Sequence, residues 1–227
     1  MLTAVSLGAI VRPTLAQTPA AAAPSRVGEI KSLGNDRYLI GRIVVNKRGR
    51  SLAVPGRVNV IDKPLEYLAT TPDGRRAYES LLTLDTSGSE LNLACILIGL
   101  ERDPRAPLSQ PLSQPGQLVL LSVAWMDAAG QRRQVSAAEA LLGVDASAKD
   151  AAIDWAYTGS FSSIDGKHLA ADQTGSLISF VKKDPSGIFE AVSGVGLGAY
   201  GTVRGNASLP PEGSPIELVV EAVVPRK

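Results

Sequence analysis

Residues 65–100 constrain the fold of this chain more than any other stretch of its sequence. Residues 71–74, TPDG, place proline where a turn needs a fixed φ and glycine where it needs a positive φ. The flanking segments are therefore predicted to pair as a β-hairpin over residues 65–84. Ser87 and Glu90 then supply the S-x-x-E pattern of a helix capping box, and an apolar run follows. The stretch predicts a hairpin followed by one buried helix.

Strand and turn signals dominate the rest of the chain, which contains 22 glycines and 15 prolines and few long helical patterns. A second S-x-x-E pattern, Ser136 to Glu139, predicts a short helix. Further strands are predicted at residues 27–31, 37–45, 51–54, 57–61, 117–126, 131–135, 153–157, 168–172, 177–181 and 216–224. Short turns join most of them, whereas parallel pairs need longer crossovers. The prediction is an α+β fold, a mainly antiparallel β-sheet with one buried helix and a few short helices.

The first 25 residues differ in composition from the remainder. An apolar run, LTAVSLGAIV, precedes small residues near Ala16 and the spacer TPAAAAPS. This pattern predicts a secretory signal peptide and flexible spacer over residues 1–25, and hence a periplasmic or secreted protein. The run is too short to cross a bilayer, which needs about 20 residues, so no integral membrane span is predicted. Residues 26–227 are predicted to form a single domain with a Pro-rich loop at 104–116.

Charge and cysteine content limit the partners and cofactors of this chain. The 23 basic and 22 acidic residues are scattered and give a net charge of +1, so no nucleic-acid surface is predicted. A single cysteine, Cys95, excludes an internal disulfide and any C-x-x-C redox or zinc motif. Its apolar neighbours predict a buried, inert thiol. No cofactor and no metal site follow from the sequence.

The predicted hairpin supplies the best candidate for a functional acid, Glu79. With a three-residue loop, the register places Tyr67 opposite Glu79, whose strand neighbours are apolar. A carboxylate placed there needs hydrogen-bond partners, or its pKa rises. The alternative is a structural glutamate satisfied by backbone amides or by Arg75 or Arg76.

The succession of motifs along the chain resembles one known family. It comprises PGRVN, LEYLATTPDGRRAYESLLTLD, SELNLACILIGL, GQLVLLSVAWMDAAGQ, WAYTGSFS, LAADQTGSLISF and LPPEGSPIELVV. Together they resemble the YdjY-type domain of exported bacterial proteins, over roughly Gly28 to Val224. The resemblance implies export and a shared fold, but no reaction, because the family has no established activity. Many relatives carry histidine before the glutamate of the hairpin, where this chain has Tyr78.

The sequence therefore predicts an exported, non-enzymatic binding or envelope-associated accessory module. Its partner would be an unknown protein or small ligand of the cell envelope. The predicted binding residues are Tyr67, Tyr78, Glu79, Trp155, Ser160 and Asp172.

Two alternatives stay open at this point. A hydrolase-like enzyme would use Glu79 as general base, or another carboxylate such as Asp172, with a hydroxyl from Ser80 or Ser160. A metal-binding accessory protein would need Asp165, Asp172 and Glu79 to converge on a hard cation such as calcium.

Overall fold

The computed structural model describes residues 27–103, 105, 107, 116–143, 153–161, 168–181, 184–194, 197–198 and 200–223. The predicted leader at 1–25 and almost all of the predicted Pro-rich loop lie outside these residues. The strands are β1 (Ile30–Gly34), β2 (Arg37–Ile40), β3 (Ile43–Asn46), β4 (Ser51–Val58), β5 (Tyr67–Thr70), β6 (Ser80–Leu84), β7 (Leu118–Met126), β8 (Arg132–Ser136), β9 (Leu141–Gly143), β10 (Asp154–Tyr157), β11 (Ser176–Ser179), β12 (Phe189–Ser193), β13 (Val203–Gly205) and β14 (Pro215–Ala222). The helices are α1 (Gly88–Leu97), α2 (Ala137–Ala140) and α3 (Ala170–Thr174), with a single 3₁₀ turn at Ala77–Glu79.

Eight strands close into a barrel in the order β4-β14-β7-β10-β12-β11-β5-β6, because β6 pairs back onto β4. β1, β2 and β3 extend this sheet from β4, β8 pairs with β7, and β13 and β9 form a separate two-stranded sheet. The predicted α+β class is therefore wrong: the fold is mostly β with few, short helices. Local sequence signals could not predict closure, since the pairs that close the ring join strands far apart in sequence.

The predicted hairpin over residues 65–84 is also wrong. The turn itself forms, with the Gly74 amide donating to the Thr71 carbonyl at 3.0 Å. The chain then crosses back through the 3₁₀ turn, and β6 runs parallel to β5 with Tyr67 beside Ser80. Along its other edge, β6 pairs antiparallel with β4. A second parallel pair, β11 with β12, means that the sheet is not purely antiparallel.

Two of the predicted helix starts are confirmed. Ser87 and Glu90 form a reciprocal capping box at the start of α1, and Ser136 and Glu139 form one at the start of α2. The predicted strand at 168–172 is wrong, since α3 occupies most of this segment. Cap patterns succeed because all of their hydrogen bonds lie within one turn of chain.

Strand β4 runs unbroken through Pro55 and Gly56, where two shorter strands were predicted. At Gly56 it pairs with β14 on one side and β6 on the other. A Cβ atom on Gly56 would lie 2.3 Å from the carbonyl oxygen of Thr83. Glycine therefore allows the close backbone approach at which the barrel closes.

The buried apolar side chains form one cluster, and its largest fully buried members include Tyr157, Phe180 and Phe189. The rings of Tyr157 and Phe189 meet edge to face, with centroids 5.8 Å apart. Cys95 is a free, buried thiol, as predicted, and burial raises its pKa. No helix in the described part of the chain is long and apolar enough to span a bilayer.

Candidate functional site

The connections of the two parallel pairs flank a polar cleft of about 490 Å³. The first connection, residues 71–79, joins β5 to β6, and the second, residues 180–188, joins β11 to β12. The cleft is lined by Glu66, Tyr67, Arg75, Arg76, Thr174, Ser176, Asp184, Pro185 and Tyr200.

Asp184 organises one wall of the cleft. Its Oδ2 accepts a hydrogen bond from the Tyr67 hydroxyl at 3.0 Å, and its Oδ1 accepts from the Ser186 amide at 3.0 Å and hydroxyl at 2.5 Å. Burial alone would raise the pKa of Asp184, but hydrogen bonds from Ser186 and Tyr67 lower it below its ordinary value. Asp184 is therefore a carboxylate at neutral pH.

The Tyr67 side chain lines the cleft but is almost fully buried. Burial and the adjacent carboxylate of Asp184 raise the pKa of the phenol, because both disfavour a phenolate. Tyr67 therefore stays protonated at neutral pH. It donates to Asp184 and keeps its oxygen lone pairs as acceptors.

The first connection contributes two arginines to the cleft, Arg75 and Arg76. Arg76 donates to the Tyr78 hydroxyl at 2.8 Å and to Glu79 Oε1 at 3.0 Å. Tyr78 is 62% exposed, while the Glu79 side chain is only 14% exposed. Arg75 is exposed, and no hydrogen bond or ion pair of its guanidinium involves a residue that the structure describes.

A second cavity, of about 500 Å³, is mostly apolar. It is lined by Asn92, Ile96, Leu100, Glu101, Arg102, Tyr157, Gly159, Ser160, Phe161 and Leu169. Two of these side chains are joined by a hydrogen bond, since the Tyr157 hydroxyl donates to Asn92 Oδ1 at 2.7 Å. Burial raises the pKa of Tyr157, which stays a neutral phenol.

Ser160 lies in this apolar cavity with a left-handed φ of 55°, which is unusual for a residue other than glycine. Its hydroxyl donates to the Ser186 carbonyl at 2.7 Å and accepts from the Ala171 amide at 3.2 Å. Its own carbonyl accepts from Arg102 at 2.8 Å. Three hydrogen bonds thus hold Ser160 in place, and its hydroxyl is used structurally.

A model of the YdjY domain matches residues 43–221. The chain belongs to this family. The resemblance predicted from the sequence motifs is confirmed, and the matched residues contain both crossover connections and both cavities. No curated protein and no solved structure matches the chain.

Within the YdjY domain, the predicted site residues lie in several different places. Tyr67 lines the polar cleft, and Tyr78 and Glu79 adjoin it through Arg76. Ser160 lies in the other cavity, and Trp155 is a buried core residue of β10. The hypothesis of one surface formed by all six residues is therefore not supported by their positions.

Asp172 and Ser80 have structural partners in the YdjY domain. Asp172 accepts from the amide of Ser89 at 3.0 Å and from its hydroxyl, which ties α3 to the first turn of α1. Ser80 is fully buried, and its hydroxyl donates to the Leu82 carbonyl at 2.9 Å. Among the described residues, neither side chain forms a hydrogen bond with the Glu79 carboxylate.

The metal-binding alternative gains no support from the described residues. They contain no group of three or more His, Cys, Asp or Glu side chains arranged to hold a metal ion. Asp165, one of the three predicted ligands, lies outside them. Asp172 and Glu79 are engaged with Ser89 and Arg76.

Asp184 and Tyr200 were not predicted as site residues. A signal for Asp184 is present, however, because residues 184–187 read DPSG and repeat the x-Pro-x-Gly pattern of TPDG at 71–74. Both segments form a turn with the glycine amide bonded to the first carbonyl, at 2.9 Å for Gly187 and 3.0 Å for Gly74. The repeated turn pattern could have directed attention to both connections.

Proposed function

We propose that this chain is an exported binding protein for a small polar ligand, and that the polar cleft is its binding site. The observation that carries the proposal is the cleft itself. Its volume of about 490 Å³ lies within the range of small-molecule sites. Its lining brings a buried phenol, a hydrogen-bonded carboxylate and two arginines together from separate segments of the chain.

The state of these groups favours binding over catalysis. Tyr67 is held as a neutral phenol, and the two oxygens of Asp184 accept three hydrogen bonds from protein donors. Side chains fixed in this way recognise a ligand with little loss of conformational entropy. Glu79, the predicted general base, is paired with Arg76 and contacts no serine hydroxyl in the described residues.

The ligand or partner would belong to the cell envelope. This part of the proposal is supported by the leader pattern in residues 1–25, with its apolar run and the small residues near Ala16. N-terminal sequencing of protein recovered from a periplasmic fraction is expected to start after Ala16. Recovery of the uncleaved chain from the cytoplasm alone would contradict export.

Binding can be tested by measuring the thermal unfolding of the purified domain with a panel of small molecules. The panel contains D-glucose, D-glucuronate, D-glucose 6-phosphate, L-glutamate and citrate. At least one compound is expected to raise the Tm of the wild type and to lose this effect in the variant Arg75→Gln. The control is Arg48→Gln, which removes the same charge from the exposed turn between β3 and β4.

Two results would overturn the proposal. One is a panel in which no compound changes the Tm at concentrations up to the millimolar range. The other is a stabilising compound whose effect is equal in the wild type, Arg75→Gln and the double variant Arg75→Gln with Tyr67→Phe.

A further inference from the structure

The ligand class of the polar cleft can be inferred from which of its polar groups are already occupied; this inference rests on the proposed function. Asp184 is occupied, since Tyr67 and Ser186 supply donors to both carboxylate oxygens. A carboxylate has about four acceptor positions, and three are filled here. Asp184 therefore positions Tyr67 and is poorly placed to capture a cationic ligand.

The two arginines of the cleft differ in whether their guanidinium groups already have hydrogen-bond partners. The Arg76 guanidinium donates hydrogen bonds to both Tyr78 and Glu79, and the Glu79 carboxylate largely balances its charge. Arg75 lines the cleft, is exposed, and forms no side-chain hydrogen bond with any residue that the structure describes. A guanidinium presents several donors in one plane and suits a carboxylate or a phosphate group. Arg75 thus faces the cleft as a receptor for an anionic group.

The remaining groups of the cleft include the phenol oxygen of Tyr67 and the aromatic ring of Tyr200. The Tyr67 oxygen, whose proton is donated to Asp184, remains an acceptor at the cleft. Such an oxygen matches a ligand hydroxyl. Tyr200 is 58% exposed at the cleft, and its ring offers an apolar face beside a polar tip.

The charged side chains of the cleft come from different segments of the chain. Arg75 and Arg76 belong to the first connection, whereas Asp184 belongs to the second and Glu66 directly precedes β5. An anionic group bound by Arg75 leaves the hydroxyls of the same ligand to meet Tyr67. One molecule with both kinds of group fits this arrangement.

We infer that the cleft binds a sugar that carries one anionic group, with Arg75 binding the anion and Tyr67 accepting a hydrogen bond from a ring hydroxyl. A uronic acid and a sugar phosphate share this chemistry. A zwitterionic amino acid would instead need a free carboxylate for its ammonium group, but Asp184 is filled by protein donors and Glu66 already takes part in another interaction.

Isothermal titration calorimetry at low salt tests the inference with D-glucuronate, D-glucose 6-phosphate, D-glucose and L-glutamate. At least one acidic sugar is expected to bind about tenfold or more tightly than D-glucose, because hydrogen bonds to charged groups are strong. Arg75→Gln is expected to remove this preference, and Arg48→Gln to retain it. Tyr67→Phe is expected to weaken binding of the same sugar severalfold while its preference for the acidic form persists.

The inference is overturned if D-glucose binds as tightly as both acidic sugars, or if L-glutamate binds more tightly than either. It is also overturned if Arg75→Gln leaves the preference for acidic sugars unchanged. Binding of L-glutamate in the titration, or of citrate in the thermal-unfolding panel, without binding of any sugar would refute the ligand class and leave the binding function standing. Failure of the whole panel would refute the binding function itself.

Discussion

The two arcs of the barrel are built on different principles. In one arc, β4, β14 and β7 pair antiparallel over long registers, with β8 added to β7 by a tight turn. In the other arc, the order β6-β5-β11-β12 contains two parallel pairs back to back, since β5 and β11 are antiparallel to each other. We call these the antiparallel arc and the crossover arc.

The difference decides where a ligand site can form. An antiparallel turn reverses the chain at the end of the sheet, whereas a parallel pair needs a connection that travels back along the strands. The crossover arc has two such connections, each containing an x-Pro-x-Gly turn, and their polar side chains meet in the cleft. The polar side chains that line the cleft therefore come mainly from the crossover arc.

The closure between the arcs is expected to be the most sensitive point. Gly56→Ala would place a methyl group 2.3 Å from the Thr83 carbonyl oxygen, where β4 pairs with β6. We expect a loss of about 3 kcal/mol in the free energy of unfolding, measured by urea denaturation. The control Gly130→Ala sits in an open turn with φ of 73° and is expected to lose about 1 kcal/mol. Equal losses would show that the arcs do not close tightly at Gly56.

The stability of the crossover arc is expected to depend on the carboxylate of Asp184. Asp184→Asn removes the ionised acceptor that holds Tyr67 and Ser186, and should cost about 2 kcal/mol at pH 7. Because folding lowers the pKa of Asp184, its ionised form stabilises the fold above the unfolded pKa of about 3.9, and this stabilisation is lost as pH falls through the folded value. The stability difference between wild type and variant should therefore shrink from pH 5 towards pH 2. A difference that stays constant over this range would contradict the assigned charge.

Helix α1, which contacts both α3 and β3, is expected to be less critical. Ser87→Ala removes the side-chain acceptor for the Glu90 amide and should cost about 1 kcal/mol. Ser136→Ala makes the same change at the exposed cap of the four-residue α2 and should cost less. Thermal unfolding of the two variants side by side measures the difference, and a larger loss at Ser136 would refute this ranking.

The smallest effect is expected at Glu79. Its ion pair with Arg76 involves a half-exposed arginine, so Glu79→Gln should change the free energy of unfolding by less than about 1 kcal/mol. Ligand binding in the cleft should persist, because Glu79 does not line it. Abolished binding in a folded Glu79→Gln variant would move the site towards the hairpin position predicted from the sequence.

Local signals predicted the parts of this fold whose hydrogen bonds close within a few residues. The caps at Ser87 and Ser136, the TPDG turn, and the strands β7 and β8 formed much as predicted. The direction of β6 could not be predicted in this way, because it depends on β4, some 25 residues away, as much as on the turn before it. Pairing that joins distant segments leaves no signature in either segment alone.

Contacts between distant segments also limited how much of the candidate site could be predicted from the sequence. Tyr67 was predicted because it lies in a conspicuous motif, and it lines the cleft. Its partner Asp184 is 117 positions away, and only the fold brings the two side chains within hydrogen-bond distance. Ser160 and Asp172 were proposed for their polar groups, but backbone partners from other segments occupy these groups.

The position of β14 has a consequence for how the molecule folds. β14 is the last strand among the described residues, yet it sits in the ring between β4 and β7. Until residues 215–222 are available, both of these strands keep an unpaired edge that could join another chain. Closure therefore comes late during synthesis, and folding from denaturant should be slow because it depends on contacts between distant parts of the chain. An early termination codon just before Pro215 would leave an open sheet prone to aggregation.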